Sequence, residues 1–142
     1  MIGFSWEKES DIYAVVPQII QIPAHQIRIS VATPLPGSAW FKETKQENTD
    51  WTLYDTENLV WNKNNFSDVN SVIKYICHQF YTTDFYTEKI NDFLHLHPKD
   101  TESFDYFFNS LVELGILKEN ELKVNHTNPQ KGERYEKLVS FA

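Results

Sequence analysis

Cysteine is almost missing from this 142-residue chain: Cys77 stands alone, which excludes an intrachain disulfide and fits a reducing compartment. Apolar runs are short, none approaching the roughly 18–20 residues that span a bilayer. The N-terminus shows no basic stretch leading into an apolar segment of leader length, so the expectation is a cytoplasmic protein with no membrane partner. No nucleotide-binding loop, metal-ligand array or nucleophile motif is present, and no cofactor is expected. Basic residues are scarce too: 13 Lys and Arg face 20 Asp and Glu, for a net charge of −7. That balance makes nucleic acid an unfavourable partner, because a phosphate backbone needs positive charge opposite it.

What the chain does have is apolar and aromatic side chains. Hydrophobic residues make up 41% and aromatics 15%, enough for burial to offset the conformational entropy lost on folding. The length suits one domain over 1–142 without disulfide or metal staples. The clearest local signal lies between Ser67 and Gly115. Val69, Val72, Ile73, Ile76, Cys77 and Phe80 recur at helical spacing, which predicts a helix from about Asp68 to Tyr81 with Ser67 as its N-cap. A second helix is expected from Asp84, its apolar face continued by Phe85 or Tyr86, Ile90, Phe93, Leu94 and His97 and stopped by Pro98. A third, capped by Asp100 or Thr101, buries Phe104, Phe107, Phe108, Leu111, Val112 and Leu114 and ends at Gly115.

Residues 1–65 read mostly as β. Ile27, Ile29 and Val31 alternate with Arg28 and Ser30, as a half-buried strand does. In residues 11–22 Ile12, Val15, Val16, Ile19 and Ile20 also fit a helical face, but the run is rich in β-branched side chains and Pro17 would remove a hydrogen bond from a helix interior, so a strand is preferred, with a helix beginning near Pro17 as the open alternative. Trp51 and Leu53, with Leu59, Val60 and Trp61, suggest a two-stranded return around a turn at Asp55–Asn58. Residues 118–142 suggest a hairpin, with a helix at 133–138 as the competitor. The fold expected is therefore α+β: an N-terminal antiparallel sheet packed on a three-helix block (66–117), with a short C-terminal hairpin or helix.

Charge is unevenly spread over those parts. Residues 1–65 hold five Lys/Arg against eight Asp/Glu, residues 66–117 three against eight, and residues 118–142 five against four. Three helices and a hairpin have the element order of a winged helix, but the third helix carries Glu102, Asp105 and Glu113 and no cation, which disfavours a place beside phosphates. Asp84, Glu88 and Asp92 fall at i, i+4 and i+8 and form one row. Such rows are commonly solvated faces; the sharper reading is a strip that steers a basic protein. His95 and His97 lack the further ligands of a metal site, and Cys77 on the apolar face reads as structural.

The function this pattern points to is a non-catalytic acidic module that binds a basic protein partner. One instance is an inhibitor of the immunity or antitoxin kind that blocks a cationic nuclease. Asp84, Glu88 and Asp92 would set its association rate, and the aromatic residues Tyr81 and Tyr106 the lifetime of the complex. The competing readings are a winged-helix DNA-binding regulator and a small ligand-binding domain or enzyme.

Overall fold

The described residues of the region expected to be an antiparallel sheet form no strand. In the computed structural model, which describes residues 1–43, 50–55, 58–60 and 65–121, the described residues are mostly helical. The helices are α1 (Glu9–Ile19), α2 (Ala39–Glu43), α3 (Val69–Tyr81), α4 (Asp84–Leu96) and α5 (Thr101–Glu113), with short 3₁₀ turns at Trp51–Leu53, Pro98–Asp100 and Glu119–Glu121. Among the described residues the only β pairing is an isolated parallel bridge between Ile2 and Val31. The chain divides into two compact units, 1–79 and 80–142. Trp61 and the C-terminal hairpin or helix lie outside the described residues.

The largest correction falls on residues 11–22. They form most of α1 because Ile12, Val16, Ile19 and Ile20 place one apolar face on the core, and that burial outweighs β-propensity. Pro17 sits inside the helix near its last turn, on the exposed side, where it removes one backbone hydrogen bond without unpacking the buried face. At the other end the Lys8 N–H donates to the Asp11 carboxylate at 2.9 Å, and Glu9 and Asp11 complement the positive end of the helix dipole. The second correction concerns 27–31. Its isoleucines pack against the core, and among the described residues its β pairing is the one bridge of Val31 to Ile2: the Ile2 N–H donates to the Ser30 carbonyl (3.0 Å) and the Ala32 N–H to that of Ile2 (2.7 Å). Trp51–Leu53 turns rather than extends, with the Asp50 carboxylate accepting from the Thr52 N–H at 3.0 Å.

The core of the first unit gathers Ile2, Ile12, Val16, Val31, Phe66, Val69, Val72 and Ile76, with Ile27, Ile29 and Ile73 packed against it. Each such side chain contributes about 1.5–3 kcal/mol on leaving water. A polar clamp joins the start of α1 to the approach of α3. The Glu9 carboxylate accepts from the Ser67 N–H (2.9 Å), the Ser67 hydroxyl (2.8 Å) and the Tyr13 hydroxyl (2.9 Å). Ser67 is thereby engaged with Glu9, and Asp68 takes the capping role expected of it, accepting from the Asn70 N–H at 3.0 Å.

The Ser67 amide, then the Ser67 and Tyr13 hydroxyls, hold the Glu9 carboxyl below the usual glutamate range. A depressed carboxylate pKa adds stability above the unfolded-state value that is lost as pH falls through the folded one. Glu9→Gln is accordingly expected to lower stability at neutral pH, with the difference from wild type shrinking in acid, below the ordinary glutamate range. Urea titrations at neutral and acid pH check this, and a pH-independent difference would mean that Glu9 acts by packing alone.

The second unit is built from aromatic rings. Tyr81 meets Phe80 at 5.0 Å, Tyr86 at 5.1 Å and Phe107 at 5.5 Å between centroids, all close to edge-to-face. Phe104 lies 5.6 Å from Phe93 and 6.0 Å from Phe108. The Thr83 hydroxyl caps α4 by accepting from the Tyr86 N–H at 3.1 Å. Gly115, at φ 66°, ends α5: its N–H reaches the Val112 carbonyl (2.8 Å) and the Ile116 N–H that of Leu111 (2.9 Å). The six-to-one and five-to-two bonds close a Schellman turn.

Candidate functional site: the outer face of α4

A helix advances about 100° per residue, so the thirteen residues of α4 sort into two faces. Tyr86, Ile90 and Leu94 fall on one side and are buried. Asp84, Glu88, Asp92 and His95 fall on the other and are exposed. The three carboxylates expected to form a row therefore do so, in contact with water. Phe85 and Leu96 border the same arc, 42% and 74% exposed. Lys89, adjoining the row in sequence, places its Nζ 5.4 Å from the centre of the Phe85 ring, so its charge is directed to that aromatic border. The result is an acidic strip with an apolar group at each end.

The two aromatic candidates separate. Tyr81 is 5% exposed, enclosed by Phe80, Tyr86 and Phe107, and presents no surface to a partner. Tyr106 is 77% exposed on α5, with Glu102 one turn before it and Glu113 two turns after, all three exposed. Phe85 and Leu96 were not singled out from sequence as surface contacts. The available signal was the register of α4: once Tyr86 joins Ile90 and Leu94 at four-residue spacing, Phe85 cannot share their face.

Cys77 is buried, and burial pushes its thiol up from the ordinary cysteine value, which disfavours the thiolate. The ring of His97 stacks on Phe93 at 4.6 Å, so it packs against α4. Among the described residues no group of three His, Cys, Asp or Glu could hold a metal ion, and no helix is long and apolar enough to cross a membrane. No protein-family model matches the chain, and no curated protein or solved structure is significantly similar to it.

Proposed function

We propose that this chain is a non-catalytic binding module that engages a basic protein through the outer face of α4, as an inhibitor of the immunity or antitoxin kind would engage a cationic nuclease. The observation that carries the reading is the exposed strip Asp84, Glu88 and Asp92 bordered by exposed Phe85 and Leu96. Carboxylates in water steer a cationic partner and raise its encounter rate, and the apolar border groups supply area that is desolvated once contact is made. Exposed acidic residues are ordinary on a helix, and so are single exposed apolar side chains; the reading rests on their falling together along one face of α4. A cytoplasmic location belongs to the same proposal and rests on the lone cysteine.

The test is the combined change Asp84→Lys, Glu88→Lys and Asp92→Lys. A protein retained by the immobilised full chain is identified, purified and mixed with wild type and variant in stopped-flow at low and moderate salt. Association is expected to slow by about tenfold at low salt, with the gap closing as salt rises. Phe85→Ala is expected to speed dissociation while leaving association near wild type. Equal association rates for wild type and the triple variant would reduce the strip to a solvated helix face.

A further inference from the structure

The described tryptophans, Trp6, Trp40 and Trp51, all lie outside the buried core, although indole offers the largest apolar area of any side chain. Trp6 is the extreme case at 71% exposure, and it sits in a hydrogen-bonded turn. Gly3, at φ 92°, reverses the chain just after Ile2 is pinned by its bridge to Val31. The Glu7 carboxylate then accepts from the backbone N–H groups of Gly3 (2.7 Å) and Phe4 (2.9 Å), and the Glu7 N–H donates to the Phe4 carbonyl at 3.0 Å. Trp6 stands at the tip of that closed turn. Its indole stacks on the Phe4 ring with centroids 4.9 Å apart and planes 13° apart, and Phe4 stacks in turn on Trp40 at 5.7 Å and 28°. One indole face is covered by Phe4; with the residue still mostly exposed, the opposite face is presented to water.

We infer that the Trp6–Phe4–Trp40 stack is a docking platform for an arginine side chain of a basic protein, its guanidinium lying flat on the open indole face. The inference takes from the proposed function only the basic character of the partner, and it locates a separate contact on the first unit. Geometry supplies the first part of the argument: a flat ring backed by a second ring and fixed by a closed turn loses little freedom when a ligand settles on it. Charge supplies the second. Glu7, Glu9 and Asp11 follow Trp6 within five residues against Lys8 alone, in a chain of net charge −7. That field attracts a cation and repels phosphate-bearing ligands. Among cations, guanidinium is planar, weakly hydrated and matched to an indole face, whereas ammonium is compact and strongly hydrated.

The test uses the full chain labelled at its indole nitrogens, titrated with an alternating glycine–arginine peptide and with the same peptide carrying citrulline, which keeps the shape of arginine and lacks its charge. The Trp6 Nε1–H signal, assigned by its loss in Trp6→Ala, is expected to shift saturably with the arginine peptide. Binding of the citrulline peptide should be about tenfold weaker. Trp6→Ala should lose the affinity and Trp6→Phe retain part of it. Equal binding of the two peptides, or unchanged affinity in Trp6→Ala, would overturn the platform. Saturation by cellohexaose or oligoproline with no response to the arginine peptide would overturn it as well, in favour of a neutral ligand. The two readings fail separately. Loss of the indole shift leaves the α4 strip standing, and an α4 triple variant with normal partner association leaves the Trp6 shift standing.

Discussion

Phe80→Ala is expected to destabilise the second unit by about 3–5 kcal/mol, the range for emptying a buried phenylalanine site. Phe80 is 1% exposed, with Tyr81 at 5.0 Å and Tyr86 at 5.2 Å between ring centroids. Two features keep the neighbours from closing the gap. Tyr81 is also braced against Phe107, and the Tyr86 backbone is tied to the Thr83 cap, so neither ring moves inward without giving up a contact. Equilibrium urea unfolding of wild type and variant measures the loss. Phe85→Ala serves as the control, since that ring is half in water and its removal should change stability by no more than about 0.5 kcal/mol. A Phe80→Ala loss below about 1 kcal/mol would show that the ring cluster collapses readily and does not organise this unit.

Pro17→Ala carries the opposite sign. Proline in a helix interior is less favourable than alanine by about 3 kcal/mol, through the lost N–H and the clash with the preceding turn. The replacement also loosens the unfolded chain, which returns about 0.4–1 kcal/mol of that gain. Because Pro17 lies on the exposed side of α1, a methyl group there disturbs no core contact. The net expectation is a stabilisation of roughly 2 kcal/mol, read as a rise in urea midpoint and in far-ultraviolet helical signal. In an edge strand the same change would bring no helical gain, so the sign of the effect also checks the correction made to residues 11–22.

That correction shows where sequence pattern stops being informative. Ile27, Ile29 and Val31 do pack on the core while Arg28 stays exposed, but Ser30 is half-buried like the isoleucines, so the alternation reported side-chain direction in part. It could not report backbone pairing, which needs a partner distant in sequence, and among the described residues the bridge from this stretch runs to Ile2. In 11–22 two periods coexisted, and Pro17 counted against a helix although it falls on the face where its missing N–H costs least. By contrast, the helices expected over 68–81, 84–97 and 101–114 occur as Val69–Tyr81, Asp84–Leu96 and Thr101–Glu113 because their apolar periodicity and the stop at Gly115 agree, although Asp100 makes no side-chain cap bond and Leu114, expected on the buried side, is 59% exposed. The acidic row of α4 was legible for the same reason, since four-residue spacing on a secure helix fixes direction. The burial of Tyr81 was not legible: it depends on Phe107, 26 positions away, arriving across from it.

The closely packed tyrosines also bear on behaviour in alkali. Burial, then the neighbouring Tyr81, raises the Tyr86 phenol well above the ordinary tyrosine value, while an unfolded tyrosine gives up its proton near pH 10. A raised pKa contributes stability that is complete below the unfolded value and is lost as pH climbs toward the folded one. Base should therefore act on this protein as a denaturant in part through the Tyr86 hydroxyl. The phenolate absorbance of Tyr86 should rise with loss of ellipticity rather than ahead of it, and the phenol would serve as an internal reporter of the opening of its own packing.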